Sequence, residues 1–159
     1  MKKLLITITV MALTMLLVFP SGTAAAGSDP ASVARTLLRA YNAHNLDAVT
    51  ALFADDAVFT VLPQGIVLTG KAQIRAALQQ GAFAQNSSLR MVAYPQISGD
   101  KVTWSVQASN DAWRQLGIDR LLNTNEAIVR GGKITSVTVG LTPESVARLQ
   151  AAMAATQSK

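Results

Sequence analysis

The apolar positions of this chain change period along its length, and each change marks a different kind of element. Leu4 to Phe19 form one apolar run without a charge, preceded by Lys2 and Lys3 and followed by Pro20, Ser21 and Gly22. From Asp29-Pro30 the pattern is helical. Asp29 caps, Pro30 suits the first turn, and Val33, Leu37, Leu38 and Tyr41 recur on one face, predicting a helix over about 31–43. Asn45 caps a second helix with Asp47 in its first turn, where the helix dipole favours an acid, and with Leu46, Val49, Leu52 and Phe53 as its buried stripe. The pair Asp55-Asp56 reads as the turn that ends it.

From Ala57 the apolar residues alternate. Ala57, Phe59 and Val61 share one face of a strand ending at Leu62-Pro63, and Ile66-Val67-Leu68 reads as its return. Gly70 opens a third helix, about 71–80, that carries Ile74, Ala77 and Leu78 inward. Strands are predicted near 88–97, 101–109, 121–130 and 133–141, with turns at Ser98-Gly99-Asp100 and Gly131-Gly132. Thr142-Pro143-Glu144 starts a last helix whose apolar side is Val146, Leu149 and Met153. Helices first and mostly antiparallel strands after them predict an α+β domain, with helices packed on one face of a strongly curved sheet. Such a sheet is a cone with one open end, a natural small-molecule pocket.

The N-terminal run has a different meaning. Two lysines, an apolar stretch too short for comfortable spanning, and the small residues Thr23-Ala24-Ala25-Ala26 predict a cleavable signal peptide over 1–26, cut between Ala26 and Gly27. The expected working unit is then one domain over 27–159, secreted or periplasmic, with no stable membrane span after cleavage. Without Lys2 and Lys3 the net charge falls from +5 to +3, and the remaining basic residues stand singly. A nucleic-acid partner would want them clustered, so none is expected. The chain has no cysteine, so packing alone must hold the fold in an oxidising compartment. It also has no Gly-rich phosphate loop and no Cys/His metal spacing. No cofactor and no metal are expected.

Several stretches carry a family resemblance. Tyr41-Asn42-Ala43-His44-Asn45-Leu46-Asp47-Ala48-Val49, followed by Leu52-Phe53-Ala54-Asp55-Asp56-Ala57, resembles the opening of the nuclear transport factor two-like (NTF2-like) superfamily. That superfamily includes SnoaL-like polyketide cyclases, ketosteroid isomerases and limonene epoxide hydrolases. Gly70-Lys71-Ala72-Gln73-Ile74-Arg75 looks like the family's entry to its third helix, and Gly132-Lys133-Ile134 like the turn before its last strand. The resemblance covers nearly all of the chain after the leader and implies the cone-shaped NTF2-like fold. These are scaffold motifs, and they say little about chemistry.

Set against the isomerase pattern, the hydroxyl-donating tyrosine falls on Leu37, the carboxylate base on Val61 and the second oxyanion donor on Asn125. Losing the base removes proton transfer, and an amide donates a hydrogen bond without acting as an acid. Hydrolase-type chemistry would need the cluster Asp111, Arg114, Asp119 and Arg120, which reads as solvated charge in a loop between strands. The lone His44 sits at a helix turn away from the expected mouth. The pocket candidates are therefore Tyr41, Phe59, Trp104, Asn110, Asn123, Asn125 and Glu126. With Ala127 and Val129 facing inward, Asn123 and Asn125 also face inward and Glu126 faces out. A one-residue register shift would bring Glu126 into the cavity as a candidate base.

The expected function is binding of a small apolar molecule without catalysis. The alternatives are a cofactor-independent isomerase, cyclase or hydrolase with a non-standard site, and a homodimeric interaction module. The last would use the convex sheet face, where Thr103, Ser105 and Gln107 alternate outward.

Overall fold

The computed structural model describes residues 29–157, and the expected leader with its Ala26–Gly27 junction lies outside them. Two helices come first: α1 (Pro30–Asn42) and α2 (Leu46–Ala51). Each is capped by the side chain the sequence supplies. Asp29 accepts from the N–H groups of Ala31 and Ser32, and Asn45 accepts from Ala48. His44, between them, has a positive φ of 50° and places its Nε2 2.9 Å from the Ser87 carbonyl oxygen, a structural tie for the turn.

Strand β1 (Phe53–Leu62) then pairs with β2 (Ile66–Thr69), and α3 (Lys71–Ala77) follows, running into a π-helical turn over Leu78–Phe83. Short strands β3 (Ser88–Met91) and β4 (Gln96–Ser98) precede β5 (Lys101–Ser109). After α4 (Asp111–Gln115) come β6 (Leu121–Arg130), β7 (Lys133–Leu141) and α5 (Pro143–Gln157). The sheet runs β2-β1-β7-β6-β5-β3, with β4 also paired to β5. Every pairing is antiparallel except β1 with β7. The β6–β7 hairpin turns on Gly131 and Gly132, both at positive φ, as a two-residue turn that follows the strand twist requires.

One sheet face carries the core. Along β5, Val102, Trp104, Val106 and Ala108 are buried while Thr103, Ser105 and Gln107 are not. Val33, Ala34, Leu37 and Leu38 of α1 close over Trp104, Ala127, Val129 and Val137. At about 25 cal/mol per Å² of apolar surface, this burial is the main force holding helices to sheet.

Four local expectations are corrected. Asp55-Asp56 does not end a helix. Both residues lie inside β1 at an irregularity between Phe53 and Val58 that turns them to solvent, and Phe53 belongs to the strand rather than to the stripe of the second helix. The Lys71 ammonium, 2.7 Å away, holds the Asp55 carboxyl below its usual range. The single strand predicted over 88–97 is two short ones, broken at 92–95. The loop expected around Asp111 and Arg114 contains α4, where the pair forms a one-turn ion bridge and Arg114 and Asn86 depress the Asp111 pKa. The apolar side of α5 is barely covered. Only Ser145 is buried there, and Met153 is 47% exposed.

Candidate functional site

Between the helices and the concave sheet face lies a cavity of about 440 Å³. Its walls come from helices and strands spread along the chain. Leu37, Leu38 and Tyr41 descend from α1, and Phe59 and Val61 from β1. Ile74, Ala77 and Leu78 close one side from α3 and its π-helical extension. The sheet contributes β5, β6 and β7, represented by Trp104, Asn125 and Val139, and β2 contributes Ile66 and Leu68. Strand alternation places these residues together, since Phe59 and Val61, or Asn123 and Asn125, are two apart and share a face.

Six of the seven pocket candidates line this cavity: Tyr41, Phe59, Trp104, Asn110, Asn123 and Asn125. Glu126 does not, which corrects its place among them. Its neighbour Asn125 stands opposite Trp104 on β5 and is 7% exposed, whereas Glu126 stands opposite Thr103 on the other face. There it meets Lys101 at 3.2 Å, with both side chains about half exposed. The register is thus the one with both asparagines inward.

Tyr41 is held rather than free. Its hydroxyl donates to Ser87 Oγ at 3.0 Å, and its ring meets Phe83 edge-on at 5.2 Å between centroids. Burial pushes the phenol above its usual value of 10, and the Ser87 hydrogen bond only partly offsets this. Asn110 serves as the N-cap of α4, accepting from the Trp113 N–H at 2.8 Å. Trp113 itself lines the cavity, as do Gln85 and Ser87. The sequence pattern singles out none of these three. For Trp113 the available signal was Asn110, a capping residue ahead of an acid in the first turn.

Among the described residues that line this cavity there is no Asp, Glu, Lys, Arg or His. Leu37 and Val61, where the isomerase resemblance puts a tyrosine and a base, are both part of the wall. Among the described residues no group of three His, Cys, Asp or Glu side chains is placed to hold a metal ion, and no helix is long and apolar enough to cross a membrane. Trp104 Nε1 and Asn123 Oδ1 are buried without a hydrogen-bond partner among the described residues.

An α+β cone whose concave face encloses a neutral, largely apolar cavity defines the class of protein. The model of the SnoaL-like domain matches residues 34–137, and the chain belongs to that family. Solved structures share the fold. A Kribbella flavida protein provisionally described as a ketosteroid isomerase is 19% identical with a TM-score of 0.62, over 71% of this chain and 77% of its own. A Catenulispora acidiphila protein with a ketosteroid isomerase-like fold, solved in complex with trimethylamine, is 21% identical with a TM-score of 0.59, over 72% and 88%. A computationally designed 17-OHP binder is 18% identical with a TM-score of 0.62, over 74% and 95%. No functionally curated protein matches the chain.

Proposed function

We propose that this protein is an exported SnoaL-like domain that binds a small, largely apolar molecule in its cone cavity and does no chemistry on it. The observation that carries the reading is the composition of the wall. A cavity of about 440 Å³ falls in the range of ordinary ligand sites, and its lining is aliphatic and aromatic with a few neutral polar groups. Proton-transfer chemistry needs a group that titrates near the working pH. Among the described residues Tyr41 is the one titratable side chain in the wall, and its phenol is displaced away from neutrality. Export is supported by the basic, apolar and small-residue order of residues 2–26.

The test is a thermal-shift screen of neutral lipophilic compounds with turnover followed on every hit. A raised melting temperature without product supports binding; no shift across a broad library, or turnover of a hit, overturns the reading. N-terminal sequencing of protein recovered outside the cytoplasm should begin at Gly27.

A second reading concerns the outer sheet face. Tyr94, 83% exposed, stands with Leu62 beside a groove of about 400 Å³ over Thr103, Ser105 and Thr138. A second copy of the chain is the occupant proposed there. Sedimentation should show a dimer that Tyr94→Asp dissociates.

A further inference from the structure

The cavity wall is not uniformly apolar, and its polar atoms are gathered rather than scattered. Trp104 stands opposite Asn125 across the β5–β6 pair, and Asn123 stands opposite Val106. Trp104 and Asn123 are therefore diagonal neighbours on the concave face, a relation that sets Cα atoms roughly 7–8 Å apart. The two buried atoms without partners among the described residues belong to this pair, a donor on the indole and an acceptor on the amide. Asn125, a buried amide lining the same wall, stands directly opposite Trp104 and two residues along β6 from Asn123.

An unpaired buried polar atom is costly, and a fold tolerates it where something else satisfies it. The requirements of this patch are specific. An indole N–H donates and never accepts, while an asparagine amide offers both a donor and an acceptor whichever way it is turned about its terminal torsion. The complementary group must accept from Trp104 and donate to Asn123. A hydroxyl does both from one oxygen. A ketone or ether only accepts, and a hydrocarbon does neither. A carboxylate would bring a charge into a wall whose described residues include no cation to pair it, which desolvation opposes. The Tyr41 hydroxyl is committed to Ser87 and does not supply the missing partner.

We infer that the ligand is an uncharged alcohol or phenol whose hydroxyl docks on the Trp104, Asn123 and Asn125 patch while its hydrocarbon body lies against Phe59, Val61 and Leu68. The inference rests on the cavity-binding reading and narrows it to a chemical class.

Four matched probes test it by titration calorimetry at pH 7: naphthalene, 2-methoxynaphthalene, 2-naphthol and 2-naphthoate. One hydrogen bond formed in a dry site is worth about tenfold in affinity. The expected result is 2-naphthol at least about tenfold tighter than 2-methoxynaphthalene and than 2-naphthoate. Asn123→Leu should reduce 2-naphthol to the level of the methyl ether. Equal affinity for 2-naphthol and its methyl ether overturns the hydroxyl assignment but leaves apolar binding standing. Tight 2-naphthoate binding overturns it as well. Failure of all four to bind removes the cavity reading itself. The probe series on the unaltered protein decides the question even where a variant does not fold.

Discussion

Asn125 and Glu126 are consecutive in β6 and lie on opposite faces of the sheet, the amide in the cavity and the carboxylate outside against Lys101. That one step of strand alternation removes a charged base from the site. The expected result for Glu126→Gln is unchanged probe affinity and a loss of unfolding free energy below about 1 kcal/mol, the usual worth of an exposed ion pair. Calorimetry and urea denaturation check both. A loss of binding would mean that the carboxylate acts on the cavity from across the sheet.

Asn123 presents the opposite case. Its Oδ1 is buried without a partner among the described residues, and leaving such an atom unsatisfied costs about 1–3 kcal/mol. Asn123→Leu fills similar space with no polar group. The expected outcome is a protein more stable by about 1 kcal/mol that no longer prefers a hydroxyl-bearing probe. Chemical denaturation and the probe titration together decide it. A variant less stable than the parent would make the amide a structural element.

Asn110 links a helix cap to the cavity. Its side chain holds the N-terminus of α4, and the residue whose N–H it accepts, Trp113, lines the wall. Asn110→Ala should cost about 1 kcal/mol, the ordinary value of a lost cap, and should weaken probe binding several-fold by loosening Trp113. Asn110→Asp keeps an acceptor at the cap and should restore both. Rescue of stability without rescue of binding would assign Asn110 a direct contact with the bound molecule.

The legible parts of the fold and the opaque ones differ for physical reasons. Strands β5, β6 and β7 occur over the ranges expected because strict alternation and the glycine turns leave one register that buries Val102, Trp104 and Val106 together. Asp55-Asp56 misleads because two acids look like a helix end, and a strand accepts them only where its pairing is irregular and a lysine from the next helix reaches back. The cavity asparagines were visible as polar residues interrupting an inward-facing pattern. Trp113 was hidden by its charged neighbours Asp111 and Arg114, since a five-residue helix is too short to show a periodicity. The ligand preference was not visible either, because it depends on which polar atoms end without partners once strands are paired.

Tyr41 offers a test that uses pH. Its phenol is buried, donates to Ser87, and titrates above its usual value of 10. Between the unfolded and folded values the native state keeps a proton that the unfolded chain has released. Stability from this group is therefore complete below pH 10 and is lost as pH rises from 10 through the higher folded value. Thermal unfolding from pH 8 to 11 should show a declining alkaline limb that Tyr41→Phe flattens. The same variant removes one hydroxyl beside Ser87 and should cost about 1 kcal/mol at pH 7. Because that hydroxyl is already satisfied within the protein, hydroxyl-bearing probes should bind Tyr41→Phe with unchanged preference over their methyl ethers. A lost preference would move the polar docking point from the Trp104 and Asn123 wall to α1.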